Sequence, residues 1–404
     1  MGYKINFKEV TYALSEALDF VGIDDIYHGK RVAYMAVECA KLLNYQNEKL
    51  DDIITLGMLH DCGVSTTETH KHLINELIWK DEHYHCERGF ELLSKAKDYK
   101  QFAQTILYHH TPWEELNALD IDYDVKINAN LIFLVDRVDA LRAKSDIEHK
   151  DYQKKIQDVI IKYKSTLFNP ILVETFLEVS SKESFWYFLD NDALRGYLEE
   201  WLHTGVSHKL GFDSIKEISL IFADIVDMKS NFTYSHSKNV AKVSLCIADK
   251  INLEIKQKEQ LEIAALLHDL GKLRVDDEIL NKNTFLSEDE KLIMNRHGFD
   301  SYMILRQIKG FHKISKIASM HHETLDGKGY PYKIEGKEIP IEARILAVAD
   351  IFQALAQDRP YRKSIGAQKS FEIINEMRNQ HKLDSSIVDI LGDNLDEMYE
   401  LAVS

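Results

Sequence analysis

Helix breakers are scarce in this sequence. Five prolines are spread over 404 residues, and a proline inside a helix both removes a hydrogen bond and clashes with the preceding turn. Their rarity leaves room for long uninterrupted helices. Cysteine is equally sparse. Cys39, Cys62, Cys86 and Cys246 include no Cys-x-x-Cys pair, which excludes a disulfide framework or a zinc knuckle and fits a reducing compartment. The N-terminus, MGYKINFKEV, has no apolar signal core, and no apolar run is long enough to span a bilayer. A soluble, cytoplasmic protein is the expectation. Basic residues are also in deficit, 50 against 66 acidic ones for a net charge of -16. That argues against a nucleic-acid-coating surface, but not against a small anionic ligand held by a local basic cluster and metal ions.

What remains is helical text. Apolar residues recur at helical spacing in KEVTYALSEALDFVG and KEISLIFADIVDMKS, whereas alternating strand-like runs are few. An all-α protein is predicted, with no sheet larger than a small hairpin. The two halves repeat one another. Lys8-Glu9-Val10 aligns with Lys216-Glu217-Ile218 at an offset of 208 (216 − 8), and His28 with His236 and His60-Asp61 with His268-Asp269 keep that offset. Further on, His85 pairs with His297 and His109-His110 with His321-His322 at 212 (297 − 85), and Asp136 with Asp350 at 214 (350 − 136). FNPILVETFL resembles LDSSIVDILG near the repeat ends. Helical periodicity alone could align apolar positions, but not five histidines and two aspartates in one order. Two tandem domains related by duplication are therefore expected, residues 1–205 and 206–404. The junction lies in the glycine-interrupted stretch HTGVSHKLGFDS. The aromatic residues Phe185, Trp186, Tyr187, Phe188 and Trp201 read as core and interdomain packing.

In the second half, His236, His268, Asp269, His297, His321, His322 and Asp350 form a spaced series of transition-metal ligands. Imidazole with carboxylate suits iron, manganese or zinc better than calcium. LEIAALLHDLGK places His268 and Asp269 at the end of an apolar helix. Neighbouring residues diverge there by about 100°, following from 3.6 residues per turn. The two ligands can then face two ions, or Asp269 can bridge them. ARILAVAD ends on Asp350, and polar ligands on apolar helices point into a bundle, where such sites are built. Two close divalent ions lower the pKa of a shared water and clamp phosphoryl oxygens. Lys272, one turn beyond His268, can reach the same phosphate. His208 and His312 read as ordinary surface or core histidines.

His236, then His268-Asp269-x-Gly271-Lys272, then His297, then HHETLDGKGYP at 321–331, then Asp350 resembles the HD-GYP branch of the HD superfamily over roughly residues 213–392. ARILAVADIFQALAQDRPYRK also fits it. The resemblance implies an all-helical domain with iron or manganese in a binuclear or trinuclear site, hydrolysing a 3′–5′ cyclic dinucleotide, cyclic di-GMP or cyclic GMP-AMP. It implies His236, His268, Asp269, His297, His321, His322 and Asp350 as ligands. His268, Asp269 and Lys272 are the implied catalytic group, with Lys272 on the scissile phosphate. Arg359 and Arg362 are implied on substrate phosphates, where arginine forks suit the task. Gly327, Gly329, Tyr330 and Pro331 are implied to shape the substrate loop. Two departures stand out. Phe232 occupies the place of a glutamate that serves a third metal in some members, so two ions are expected. Gln353 replaces an aspartate that usually lies three residues after the last ligand, a change expected to affect the surroundings of the metals.

The first half resembles the broader HD superfamily and keeps His28, His60, Asp61, His85, His109, His110 and Asp136 as a second candidate metal site. It also has Asp139 where the second half has Gln353. It lacks the lysine, with Cys62-Gly63-Val64 in place of Leu270-Gly271-Lys272, and it lacks the GYP loop. A weak hydrolase site, a metal or ligand sensor and a structural platform stay open, with an accessory domain favoured. For the whole chain, a non-catalytic dinucleotide receptor and an HD phosphohydrolase acting on another nucleotide are the alternatives to a phosphodiesterase. A homodimer or a signalling partner is compatible with either, and neither a nucleic-acid polymer nor a membrane is expected as a partner.

Overall fold

The structure, a computed structural model, describes residues 4–22, 27–64, 66, 67, 69, 83–145, 151–204, 208–230, 235–357 and 364–404. Phe232, Arg359 and Arg362 lie outside these. The described residues are almost wholly helical. Their one sheet pairs Ile5–Asn6 with Lys209–Leu210, a joining of distant segments and not the local hairpin allowed for above. Among the described residues no helix is long and apolar enough to cross a membrane.

The chain divides into two compact units, Asn6–Lys209, and Leu210–Ser404 with the N-terminal residues up to Ile5. The helices follow the repeat. In the first unit Phe7–Asp19, His28–Leu42, Asn47–Leu59, His83–Leu93, Lys100–Leu107 and Tyr123–Ala143 come in order. In the second, Phe212–Lys229, His236–Lys250, Ile255–Leu267, His297–Leu305, His312–Ser319 and Ile341–Ala356 take the same places. The matching text near the repeat ends is a shared helix with a shared start. Asn169 accepts from the backbone N–H of Ile171 and Leu172, and Asp384 from that of Ser386, each satisfying N–H groups that a helix leaves unpaired.

Each unit has its own apolar centre. Phe133, Phe168 and Phe176 are fully buried in the first, and Phe222, Phe311 and Phe352 nearly or fully so in the second. Each such side chain contributes about 1.5–3 kcal/mol by leaving water. The aromatic cluster packs inside the first unit. Phe185 stacks edge-on against Phe176, the Trp186 indole donates to Ser180 O, and the Trp201 indole donates to Asp51, while Tyr187 is exposed.

Two close approaches fix where the histidine helices begin. A Cβ on Gly271 would sit 2.1 Å from His297 O, and one on Gly63 would sit 1.9 Å from His85 O. A side chain at either place would push away the helix that carries the next histidine. In the second unit the contact is pinned by Ser301, whose hydroxyl accepts from Gly271 N at 2.8 Å and donates to His268 O at 2.9 Å.

Candidate metal centre

Four helix ends and the body of a fifth helix bring the seven residues of the second unit together. His236 opens one helix, His268 and Asp269 follow the end of another, His297 opens a third, and His321 and His322 follow a fourth. Asp350 is placed differently from the expectation that it follows its helix: it lies within Ile341–Ala356 and is buried there. His236, His268, His297, His321 and Asp269 are all buried.

The rings are oriented by their outer nitrogens. Nδ1 of His268 donates to Ala265 O at 2.7 Å, that of His297 to Met294 O at 2.6 Å, and that of His321 to Ala318 O at 2.6 Å. A carbonyl can only accept, so each Nδ1 carries a proton and Nε2 is the nitrogen turned inward, the one placed to bind a metal. His236 Nδ1 lies 2.5 Å from Gln353 Oε1. The Gln353 amide is turned this way because its Nε2 donates to Gln357 Oε1 and Ala402 O. The departure from aspartate therefore bears on the far side of the first ligand, as the sequence suggested.

Asp269 stands between two sets of rings. Its Oδ2 lies 3.5 Å from His236 Nε2 and 3.3 Å from His268 Nε2. Its Oδ1 lies 3.4 Å from His297 Nε2 and 3.8 Å from His321 Nε2. Asp350 Oδ1 adds to the first set, 3.3 Å from His236 and 3.8 Å from His268. Ligands about 2.1 Å from a tetrahedral ion are separated by about 3.4 Å, so these spacings suit a divalent ion on each side. The donor atoms of His236, His268 and Asp350 converge within 4.8 Å, as do those of His297, His321 and His322.

Burial pushes His297 down to about 4 and His322 to about 3, so both are neutral, ligand-ready imidazoles at pH 7. Burial acts the same way on His236, but hydrogen bonds to Asp269 and Asp350 outweigh it and push this histidine up to about 10. Burial would raise Asp269, yet His268 and Lys272 hold its carboxyl well below the usual range.

The centre forms the floor of a cavity of about 960 Å³. His236, Asp269, Lys272, His297, His322, Tyr330 and Asp350 line it, with an apolar wall of Ile279, Leu280, Phe285, Leu286 and Met294. Lys272 Nζ donates to Asp269 Oδ2 at 2.5 Å. Its residue sits in a short 3-10 turn, Leu270–Arg274, and not in a continued α-helix. From the GYP loop, only Tyr330 is among the described lining residues, its ring 4.7 Å from that of His322. Gly327, Gly329 and Pro331 build the loop behind it. Gly327 has φ +69°, and a Cβ on Gly329 would sit 2.5 Å from Glu323 Cα. Glu323 accepts from Tyr332 N and Lys333 N, and Asp326 accepts from Thr324 and Lys328 N. The acidic residues of HHETLDGKGYP thus hold the loop's shape.

Sequence reading missed one pair. Asp227 Oδ2 accepts from Ser237 N at 3.0 Å, and Asp19 Oδ1 from Gly29 N at 2.9 Å. Each carboxylate fastens the helix that opens with His236 or His28. Both sit at the constant offset of the first repeat segment, 208 (227 − 19), inside the two helical stretches whose similarity was already evident.

The first unit gathers its own series. Asp61, His85, His109 and His110 converge within 4.8 Å, as do His28, His60 and Asp136. Asp139 holds His28 Nδ1 at 2.8 Å and receives two bonds from Arg31. In the second unit the equivalents of this charged pair are the two amides Gln353 and Asn239.

Residues 25–141 and 221–387 each match the model of the HD domain, whose members bind divalent metals. The chain is 36% identical to the 3′3′-cGAMP-specific phosphodiesterase 1 of Vibrio cholerae over 100% of this chain and 95% of that protein. It is 37% identical to a cyclic di-GMP phosphodiesterase response regulator of Xanthomonas campestris over 35% of this chain and 38% of that protein. The crystal structure of a cyclic GMP-AMP specific phosphodiesterase of V. cholerae, V-cGAP3, superposes with a TM-score of 0.66 at 21% identity, covering 98% of each chain; it shares the fold. With two HD-domain matches and a full-length relative, the chain belongs to the HD-domain phosphodiesterases of the HD-GYP type.

Proposed function

We propose that the second unit hydrolyses a 3′–5′ cyclic dinucleotide at a binuclear iron or manganese site, with 3′,3′-cyclic GMP-AMP as the preferred substrate and cyclic di-GMP as the competitor. The observation that carries the reading is Asp269. One of its oxygens faces His236 and His268 while the other faces His297 and His321, at the floor of a cavity about 960 Å³ in volume. That volume is within the roughly 300–1,000 Å³ typical of small-molecule sites. His236, His268, Asp269 and Asp350 would hold one ion, and Asp269, His297, His321 and His322 the other. Two divalent ions there would supply hydroxide from water near neutral pH and clamp the phosphoryl oxygens.

The chain's own groups do the rest. Lys272, held over the centre by Asp269, places an ammonium against the scissile phosphate. Ile279, Leu280 and Phe285 offer an apolar surface to a base, and Phe285 is fully exposed at the mouth. Arg359 and Arg362 are assigned to the substrate phosphates on the sequence motif alone. Preference for the mixed dinucleotide rests on the full-length relative named for it.

The test is hydrolysis of both dinucleotides by anaerobically purified, metal-analysed protein, beside His268→Ala and His60→Ala variants. Faster turnover of cyclic GMP-AMP, lost in His268→Ala and kept in His60→Ala, is expected. Binding of either dinucleotide without turnover, in protein holding two ions per second unit, would establish a receptor instead.

A further inference from the structure

We propose that Asp300 and Ser301 are positioning residues for Lys272: they grip the turn that carries it at both ends and so hold its ammonium over the floor of the cavity. The proposal deepens the reading above and rests on it, since that reading places the reacting phosphate.

Lys272 is the middle residue of the 3-10 turn Leu270–Arg274. Such a turn is short, and its hydrogen-bond geometry is poorer than that of an α-helix. Two backbone bonds flank the lysine, Lys272 N to Asp269 O at 2.8 Å and Val275 N to Lys272 O at 3.0 Å. Leu270 and Leu273 are buried and anchor the inner face of the turn. Apolar burial is non-directional, so it does not fix where the lysine points.

The directional holds come from the helix His297–Leu305. Ser301 is fully buried. Its hydroxyl accepts from Gly271 N and donates to His268 O, which fixes the residue just before the lysine. Asp300 is buried beside it. Its Oδ1 lies 3.6 Å from Arg274 Nη1 and accepts from Arg296 Nε at 3.2 Å, which draws in the residue two beyond the lysine. Between these holds Lys272 Nζ donates to Asp269 Oδ2 at 2.5 Å. That bond aims the ammonium at the centre only while the turn keeps its place.

The first repeat serves as an internal comparison. At its offsets of 208 (272 − 64) and 212 (300 − 88), Val64 answers to Lys272, Thr66 to Arg274, Arg88 to Asp300 and Gly89 to Ser301. All four positions differ together. The unit without the lysine has neither the hydroxyl nor the carboxylate, and its Arg88 Nη1 donates to Gly63 O at 3.1 Å instead.

The experiment uses the full chain, anaerobically purified and metal-analysed, carrying Asp300→Asn, Ser301→Ala or Lys272→Met, and each of the first two combined with Lys272→Met. With cyclic GMP-AMP, kcat should fall about tenfold in Asp300→Asn and in Ser301→Ala, and about 100-fold in Lys272→Met. KM should stay within about threefold, and metal content should not change. On top of Lys272→Met, neither substitution should lower kcat further, because a residue acting through the lysine then has nothing to position. Hydrogen exchange read by mass spectrometry gives a measure independent of turnover. Amides of residues 270–275 should exchange severalfold faster in Asp300→Asn and Ser301→Ala, while those of Phe212–Lys229 keep their rates. A tenfold loss repeated in the Lys272→Met background, or loss of metal from a folded variant, gives the two residues a merely structural role and overturns the proposal. So does unchanged exchange in the turn. Absence of turnover in the unsubstituted, metal-loaded chain overturns the dinucleotide reading itself, and faster exchange of the turn in the variants keeps that result apart from failure of the grip.

Discussion

Gln353 and Asn239 stand in the second repeat where the first has Asp139 and Arg31. In the first unit Arg31 donates to Asp139 through Nε at 2.7 Å and Nη2 at 3.0 Å, and Asp139 in turn holds His28. In the second, Gln353 holds His236 and Asn239 donates to Ala402 O and Ser404 O. A charged pair has become a pair of amides. Gln353→Asp alone would bury a carboxylate with no arginine opposite, and breaking such a buried pair costs about 3–5 kcal/mol. Gln353→Asp with Asn239→Arg should recover much of that loss. Denaturant unfolding of the two single variants and the double variant measures the coupling, which should be on the order of 1–3 kcal/mol. Additivity would mean that the two positions do not communicate. Position 353 was legible because the motif marks it. Position 239 was not, because an asparagine one turn into a helix carries no signal until its partner is seen.

At the scale of elements, both repeats fasten the start of the helix carrying their first histidine with a carboxylate from the helix before it. Burial pushes Asp227 and Asp19 each up to about 6. The sign follows. A carboxyl whose folded-state value is raised binds its proton more readily when folded, so its contribution to stability is complete below about pH 4 and is lost as pH rises through about 6. The cost of the buried charge above that window is up to ~3 kcal/mol per group. Asparagine keeps the acceptor for Ser237 N and loses the charge. In metal-stripped protein, the stability of Asp227→Asn relative to the unsubstituted chain should therefore improve between pH 4.5 and pH 7.5. Urea unfolding at the two pH values reads this out, and a constant difference would mean that Asp227 titrates as an exposed carboxyl. The helices themselves were legible from apolar spacing and the rarity of proline. The caps were not, because an aspartate near a helix end looks like any solvated charge until the turn brings it back onto Ser237 N.

For the whole molecule, the seven candidate metal ligands of the second half could be picked out because histidines and aspartates repeat in order, and the GYP element because eleven contiguous residues match. The cavity could not. Its apolar wall comes from Ile279, Leu280, Phe285 and Met294, which have no motif, and its floor depends on Asp269 presenting one oxygen to each ring set, a matter of χ angles that spacing leaves open. Net charge is legible at once and carries a kinetic consequence. A chain of charge -16 repels a dianionic dinucleotide at long range, while on the proposed function Lys272 and the two ions would attract it within the cavity. At 0.01 M ionic strength the Debye length is about 30 Å, and at 0.15 M about 8 Å. Raising the salt therefore screens the repulsive field of the whole surface before it screens the attractive field of the site. For cyclic GMP-AMP well below saturation, kcat/KM should rise severalfold as potassium chloride goes from 10 to 150 mM, at constant free metal, in the range ordinary for steering effects. A steady fall over that range would show that the cationic floor of the cavity governs encounter even at a distance, and that the acidic surface is turned away from the approach.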